Sequence, residues 1–189
     1  MTPILFLKTR DSYGCFSNFS PHTVNVWGYI WQTSEAAYQA MKYYPTHKTV
    51  FDAIREAPGP RKAADIGRKS SLMTPVWESE KEEDLLSVLN PINAGHLLGV
   101  QIDDGRGATT VIERYKDAIM YRVVLAKAMQ HRFIGQTLLD TLTRPIVENF
   151  SGERYWSWGP DHKGLNKLGK TWMLVRNELP KQFSTTTAQ

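Results

Sequence analysis

The sequence contains three polar residues whose spacing places them on one face of a predicted helix. Glu35, Gln39 and Lys42 follow one another at i, i+4 and i+7 in an alanine-rich segment. Aromatic residues such as Trp31 and Tyr38 flank them. Inside an aromatic cleft, a carboxylate and an ammonium group can act as acid, base or nucleophile. On a solvated face the same residues would carry no chemistry, so the spacing indicates either a catalytic stripe or an ordinary exposed helix face.

A second cluster of chemically versatile residues spans residues 148–170. It combines carboxylates at Glu148 and Glu153 with tryptophans and with glycines that are too frequent for regular structure. Trp156 and Trp158 are two residues apart and would share a face in an extended chain, where they could stack on a flat base. Tryptophans also commonly fill a protein core. The cluster therefore predicts either a ligand-binding loop or a buried packing motif.

Three weaker signals concern other kinds of site. The run Gly105-Arg106-Gly107 precedes a predicted helix and could bind a phosphate there, although it lacks the lysine and spacing of a P-loop. The five histidines never occur at metal-ligand spacing, so no metal site is expected. Cys15 is the single cysteine, and we expect a small buried residue rather than a nucleophile. It cannot form an internal disulfide, which favours an intracellular location, cytoplasmic or nuclear.

The composition is that of a single globular domain. Of the 189 residues, 41% are hydrophobic and 22% are charged, which argues against a disordered chain, and no apolar run is long enough to span a membrane. The formal net charge of +4 favours anionic partners such as phosphates or nucleic acid. Residues 184–189 are polar and are expected to form a tail.

The elements that must position these residues predict a mainly helical fold. Residues 4–7 are expected to form a strand, and residues 23–31 alternate around Gly28 as a β-hairpin does. Thr33 is predicted to cap the helix that carries the polar stripe, which should end near Pro45. Further predicted elements are helices over residues 49–56, 61–69, 78–89, 109–131, 135–142 and 168–179, and a strand within 145–150. The pattern predicts an α+β domain whose helices surround a small β-sheet, with residues 109–131 as the core helix.

Together, the two clusters resemble the NADAR family, also called YbiA-like. The resemblance is carried by residues 16–20 (FSNFS), residues 31–42 (WQTSEAAYQAMK) and a C-terminal motif that includes Glu148, Trp156, Gly159 and residues 164–170 (GLNKLGK). These motifs occur in the family's order over nearly the whole chain. The resemblance implies a YbiA-like domain over residues 1–183, with an insertion at about residues 90–107.

The resemblance implies an enzyme that hydrolyses N-glycosidic bonds. Family members remove ADP-ribose from guanine, or cleave ribose from the exocyclic amino group of pyrimidine intermediates of riboflavin synthesis. The basic charge and the insertion favour the first substrate class, an ADP-ribosylated guanine nucleotide or nucleic acid, with ADP-ribose as the product. The alternatives are an N-glycosidase of ribosylaminopyrimidine phosphate and a non-catalytic module that binds ADP-ribose or nucleic acid. No cofactor, metal or membrane partner is expected.

The resemblance also implies roles for individual residues. Lys42 would attack the sugar as a neutral amine and form a Schiff base, while Glu35 or Glu153 would move protons. Direct hydrolysis, in which a carboxylate activates water, is the rival mechanism. Glu153 stands where the family usually has aspartate. The residues expected to bind the ligand are Asn18, Phe19, Trp31, Gln39, Glu148, Trp156, Trp158, Gly159, Asn166, Gly169 and Lys170.

Overall fold

Helices dominate the computed structural model, which describes residues 2–69 and 71–186. The helices within these ranges are α1 (Ser34–Met41), α2 (Lys48–Arg55), α3 (Pro60–Lys69), α4 (Glu82–Leu89), α5 (Tyr115–Gln130), α6 (Arg132–Leu139) and α7 (Lys167–Thr186). The strands are β1 (Ile4–Phe6), β2 (Val24–Val26), β3 (Tyr29–Trp31), β4 (Gln101–Asp103), β5 (Ala108–Thr110) and β6 (Ile146–Glu148). The predicted α+β class is confirmed, but the strands form three separate pairs, β1 with β6, β2 with β3 and β4 with β5.

The β1–β6 pair joins two segments that lie far apart in the sequence. The strands run parallel with Phe6 opposite Glu148, and the amide of Asn149 donates a 3.0 Å hydrogen bond to the Phe6 carbonyl. Ile146 and Val147, the first two residues of β6, are fully buried. The pairing therefore places Glu148 at the carboxyl end of a strand anchored in the core.

The β2–β3 hairpin forms around Gly28, as predicted. Trp27 and Gly28 have φ angles of 55° and 76°, and these left-handed central residues match the strand twist of a two-residue hairpin. Directly after the hairpin, Thr33 Oγ1 accepts a 3.2 Å hydrogen bond from the Ala36 amide. This confirms the predicted N-cap, and the hairpin leads straight into the helix that carries the polar stripe.

The core helix α5 starts later than its periodicity predicts. The helix was expected from residue 109, but residues 108–110 form β5, and α5 begins at Tyr115. Asp103 Oδ1 accepts hydrogen bonds from the amides of Gly105 and Gly107 at 2.7 and 3.0 Å, which closes a β4–β5 hairpin. The glycines that could have bound a phosphate at a helix N-terminus therefore lie in a hairpin turn instead, and no helix starts directly after them. As predicted, α5 is central and packs against α1, α4, α6 and α7.

The remaining predictions concern the insertion and the tail. Residues 90–107 form two 3-10 turns, Asn90–Ile92 and Gly95–Leu97, and then β4. Helix α7 continues to Thr186, so it includes the first residues of the predicted tail, and residues 187–189 lie outside the described residues. No described helix combines the length and apolar character that a membrane crossing requires.

Candidate active site

The polar stripe of α1 is buried. Glu35 and Gln39 are only 6% and 5% exposed, and Gln39 Nε2 donates a 2.8 Å hydrogen bond to Glu35 Oε1. The Glu35 amide donates to the Asn18 carbonyl at 3.0 Å, which joins the stripe to the loop after β1. Burial rules out the alternative of an ordinary solvated helix face, and the structure brings Asn18, Glu35 and Gln39 together.

Lys42 lies half-buried at the end of α1 against two aromatic rings. Its Nζ is 5.8 Å from the ring centroid of Tyr38 and 5.9 Å from that of Trp77. Burial lowers the pKa of Lys42; the charge of Glu35 opposes this effect, and the charge of Arg68 adds to it. The site therefore makes the neutral, nucleophilic amine easier to form than it is in water.

Glu148 supplies a carboxyl group that keeps its proton near neutral pH. Burial, together with the charges of Glu153 and Glu35, raises the pKa of Glu148 to about 8. Burial also raises the pKa of Glu35, against the hydrogen bond from Gln39 and the nearby charge of Arg68. Glu35, Glu148 and Glu153 therefore form a carboxylate cluster, and Lys42 is close enough to Glu35 to influence its pKa.

An open cleft of about 940 Å³ lies next to this cluster. Glu148, Phe19 and Phe150 line it, together with residues of α3 that include Arg68. The volume is in the range of small-molecule sites in proteins. Phe19, predicted to bind the ligand, therefore shares a cleft with Glu148.

The carboxylate of Glu153 is occupied by the backbone of its own loop. It accepts hydrogen bonds from the amides of Tyr155, Trp156 and Ser157 at 2.8, 3.0 and 2.6 Å. These bonds fix Trp156, whose ring lies 5.4 Å from that of Tyr38 in an edge-to-face contact. The geometry gives Glu153 a positioning role in the loop that packs on α1.

The two tryptophans of the loop do not share a face. Trp156 packs towards α1, whereas Trp158 lies 5.1 Å from the His162 ring and 5.2 Å from the Arg106 guanidinium. The loop is not extended here, because residues 154–157 form bends, and Gly159, with a φ of 69°, turns the chain directly after Trp158. The joint stacking surface expected for Trp156 and Trp158 is therefore absent from the described residues.

Trp31 is a core residue of the hairpin. It is 1% exposed, its Nε1 donates to the Val26 carbonyl at 3.3 Å, and its ring contacts Phe51 at 5.3 Å. The structure places it in the packing beneath α1, without a face open to the cleft.

The C-terminal motif supports Glu148 from behind. Asn166 Oδ1 accepts a 3.1 Å hydrogen bond from the Glu148 amide, and Asn166 Nδ2 donates to the Ile146 carbonyl at 2.9 Å. A Cβ on Gly169 would lie 2.2 Å from the same carbonyl, so only glycine permits this approach of α7 to β6. Lys170 is buried, and its Nζ donates to Thr109 Oγ1 at 2.6 Å. Asn166 and Gly169 thus hold the strand that carries Glu148, whereas Lys170 binds β5.

No sequence pattern indicates the buried lysine Lys127. It is 0% exposed, and its Nζ donates to the Ser17 carbonyl at 2.9 Å and to Ser20 Oγ at 2.6 Å. Burial lowers the pKa of Lys127 to about 7. The residue fixes the loop that presents Asn18 and Phe19, and no local pattern distinguishes it from a surface lysine of an amphipathic helix. Arg68, whose charge lowers the pKa of Lys42, and Trp77, whose ring Lys42 contacts, are also not predicted, because no local pattern links them to Lys42.

The chemistry available in this site is proton transfer and amine attack. No group of three or more metal-ligating side chains with suitable geometry occurs within residues 2–69 and 71–186. An amine with a lowered pKa and carboxyl groups with raised pKa values match the needs of nucleophilic and general acid–base catalysis.

Comparison with known proteins identifies the family. Residues 100–180 match the NADAR domain. The N-glycosidase of Nostoc punctiforme is 32% identical over 184 residues, which cover 97% of this chain and 96% of that protein. The N-glycosidase YbiA of Escherichia coli is 30% identical over 179 residues, which cover 94% and 89%. A riboflavin biosynthesis protein of Zea mays, PYRR, is 29% identical over 93% of this chain but only 25% of its own length.

The fold agrees with the sequence comparison. The NMR structure of the Escherichia coli protein YbiA superposes with a TM-score of 0.66 at 28% identity, covering 96% of this chain and 86% of that one. The expected resemblance is thus confirmed by sequence and by architecture, and the chain belongs to the NADAR family.

Proposed function

We propose that this protein, a hydrolase of N-glycosidic bonds, removes ADP-ribose from the exocyclic amino group of guanine in nucleic acid. The observation that carries the proposal is the grouping of a protonated Glu148 with Glu35 and an amine of lowered pKa, Lys42. Cleavage of a glycosylamine needs a proton for the departing groups and a nucleophile for the anomeric carbon. This set of residues supplies both.

The proposed reaction proceeds through ring opening. Glu148 gives its proton to the ring oxygen of the ribose as the bond from that oxygen to C1 breaks, and the exocyclic nitrogen, which keeps its hydrogen, forms a protonated imine with C1. The neutral Nζ of Lys42 adds to C1, Glu35 transfers a proton from Nζ to the exocyclic nitrogen, and the base leaves as the free amine. Water then adds to the Lys42 Schiff base, releases the sugar as an aldehyde that recloses, and regenerates the amine.

Direct hydrolysis is the rival route through the same residues. In that case Glu35 would activate a water molecule to attack C1, while Glu148 protonates the departing nitrogen. Lys42 would then bind the substrate without forming a covalent bond. The two routes differ in whether a sugar adduct of Lys42 can be trapped.

A second candidate substrate is a ribosylaminopyrimidine phosphate. Riboflavin biosynthesis proteins of Zea mays and Vibrio vulnificus are 29% and 24% identical to this chain over more than nine-tenths of its length, which supports this candidate. The net charge of +4 favours the more anionic ADP-ribosylated nucleic acid. Both substrates carry the sugar on an exocyclic amine, so the proposed chemistry serves either.

One assay separates the candidates. The protein is incubated in parallel with a guanine-ADP-ribosylated oligonucleotide and with the ribosylaminopyrimidine phosphate, and the released sugar is quantified. We expect release of ADP-ribose from the oligonucleotide at a higher kcat/KM. Preferential cleavage of the pyrimidine would favour the second candidate, and binding without release from either would identify a non-catalytic module.

A further inference from the structure

One wall of the cleft that contains Glu148 carries unpaired cations. Arg61, Lys62 and Arg68 line the cleft from α3, and Lys8 lines it from the loop after β1. All four residues are exposed, and none forms an ion pair with another residue in the described ranges 2–69 and 71–186. The charges of this wall are therefore available to a ligand.

The acidic residues of the cleft do not neutralise these cations. Asp65 and Glu148 are the carboxyl-bearing residues among those that line it. The pKa of Glu148 is raised to about 8, so at neutral pH this carboxyl group is mostly protonated and offsets little of the positive charge. A cleft lined by one sign of charge concentrates ligands of the opposite sign. The cleft therefore suits a ligand with more than one negative charge.

The cations are spread along the length of α3. Arg61 and Lys62 lie in its first turn, where the helix dipole adds positive potential. Arg68 lies in its last turn, close enough to the reacting groups to affect the pKa values of Glu35 and Lys42. From Arg61 to Arg68 the helix rises about 10 Å at 1.5 Å per residue.

The length of this wall indicates the shape of the anion. A 5′-phosphate lies only one sugar ring from the anomeric carbon. A diphosphate that joins the reacting sugar to a second nucleoside extends further from the anomeric carbon than a single 5′-phosphate does. A row of cations that starts beside Lys42 and extends along a helix matches the longer group.

We propose that the face of α3 formed by Arg61, Lys62 and Arg68 binds the diphosphate of a substrate whose cleaved sugar is part of a nucleoside diphosphate. This inference rests on the proposed function and deepens it, because it assigns the diphosphate to named residues. Arginine is suited to the role since its planar guanidinium donates paired hydrogen bonds to phosphate oxygens.

Calorimetric titration of the full chain tests this assignment without turnover. The probes are ADP-ribose, ribose 5-phosphate, inorganic pyrophosphate and an unmodified guanine-containing oligonucleotide. The double variant Arg61→Ala/Lys62→Ala removes two exposed cations of the first turn, and thermal unfolding checks that it folds. Lys69→Ala is the matched control, because Lys69 is an exposed cation of the same helix that does not line the cleft.

We expect the double variant to bind ADP-ribose about 10- to 100-fold more weakly, the range for losing charged hydrogen bonds. Pyrophosphate binding should weaken similarly, ribose 5-phosphate binding should change by less than about threefold, and Lys69→Ala should match the wild type. Equal weakening by Lys69→Ala would overturn the assignment, because it would show a general charge effect. So would a double variant that loses oligonucleotide binding while it retains ADP-ribose, since the wall would then bind the nucleic-acid backbone.

The outcome is separable from that of the proposed function. If the wild-type protein fails to cleave ADP-ribosylated guanine but binds ADP-ribose in a manner that depends on Arg61 and Lys62, the diphosphate site stands and the proposed reaction falls. If it cleaves that substrate and the double variant has an unchanged KM, the proposed reaction stands and the diphosphate site falls.

Discussion

Gln39 Nε2 donates a 2.8 Å hydrogen bond to Oε1 of Glu35, one helical turn earlier on the buried face of α1. A Cβ on Gly67 of α3 would lie 2.2 Å from Gln39 Oε1, so the glycine allows α3 to pack closely against this pair. The contact keeps the amide in place, and the hydrogen bond counteracts the effect of burial on the pKa of Glu35. The protonation state of Glu35 therefore depends on a neutral neighbour as well as on the charges around it.

Replacing this amide should shift the titration of Glu35. In Gln39→Met the side chain keeps its approximate size but loses the donor, so the pKa of Glu35 should rise further. Glu35 must be ionised to accept a proton, so the acidic limb of the kcat/KM profile should move to higher pH. A shift of about one to two pH units corresponds to the energy of one hydrogen bond to a charged group.

An exposed pair of the same kind provides the control for this change. Gln136 Nε2 donates a 2.8 Å hydrogen bond to Asp140 Oδ1 on the surface of α6. Gln136→Met should leave the pH profile where it is. An acidic limb that does not move in Gln39→Met would show that another group is the base.

Substitution of Lys42 separates the two mechanisms. Lys42→Arg retains a cation near Tyr38 and Trp77, but the guanidinium stays protonated and cannot form an imine. In the Schiff-base route, turnover should therefore be abolished, while binding of ADP-ribose weakens by no more than about tenfold, or 1.4 kcal/mol. Borohydride added during turnover should trap a sugar adduct on the wild type and none on the variant.

Lys69→Arg serves as the comparison for Lys42→Arg, since Lys69 is an exposed lysine that does not line the cleft. This variant should react and be trapped like the wild type. An active Lys42→Arg protein with no trapped adduct on the wild type would eliminate the Schiff-base route in favour of direct hydrolysis.

The pH dependence of activity should report Glu148. Its pKa is raised to about 8, so a rise in pH through that value removes the proton that it donates. The wild type should therefore lose activity on the alkaline side near pH 8. Glu148→Gln cannot donate a proton as an acid, and we expect kcat to fall by about 100-fold, with no alkaline limb near pH 8.

Glu153→Gln distinguishes this role from a positioning role. The carboxylate of Glu153 binds three backbone amides of its loop, so the substitution should lower the free energy of unfolding by about 1–3 kcal/mol. Its residual activity should keep the alkaline limb. The opposite result, loss of the alkaline limb in Glu153→Gln and its retention in Glu148→Gln, would show that Glu153 is the proton donor and Glu148 the positioning residue.

Lys127 should make stability depend on pH above neutrality. Its pKa is about 7 in the folded protein and near its ordinary value of 10.5 in the unfolded chain. Between these values the unfolded chain binds more protons, so the Lys127 contribution to stability rises with pH and is lost as pH falls towards 7. The unfolding free energy of the wild type minus that of Lys127→Met should therefore rise by up to about 1.4 kcal/mol per pH unit in this window.

Urea unfolding at pH 7, 8 and 9 measures this difference. Lys116→Met is the control, because Lys116 lies on the same helix but its Nζ forms a surface ion pair with Glu78. A pH-independent difference for Lys127→Met would mean that the buried amine keeps an ordinary pKa.

Local sequence patterns account for part of the site. The spacing of Glu35, Gln39 and Lys42 predicts their common helix, and Thr33 predicts where that helix begins. The position of Glu148 in the same cluster depends on the pairing of β6 with β1, which no local pattern indicates. The bends over residues 154–157 likewise direct Trp156 and Trp158 to different neighbours, and these bends depend on the hydrogen bonds that Glu153 accepts within the loop.

The late start of α5 has a similar origin. The predicted helix begins at residue 109, but Thr109 and Thr110 pair with β4 in the β4–β5 hairpin, and this pairing overrides the helical periodicity there. The burial of Lys127 could not be predicted from local sequence either. Its burial depends on the loop that contains its partners Ser17 and Ser20. These residues lie 110 and 107 positions earlier in the sequence.

The parallel pairing of β1 with β6 also determines when the protein can first work during its synthesis. Ile4 leaves the ribosome 142 residues before its partner Ile146. Until then the amino-terminal strand has no edge to join, and closing so long a loop is a slow, late event in folding. The growing polypeptide can build α1 and its polar stripe before β6 exists, and the carboxyl group of Glu148 takes its position only once β6 has been made. In the proposed mechanism, a nascent chain that still lacks β6 is therefore catalytically silent.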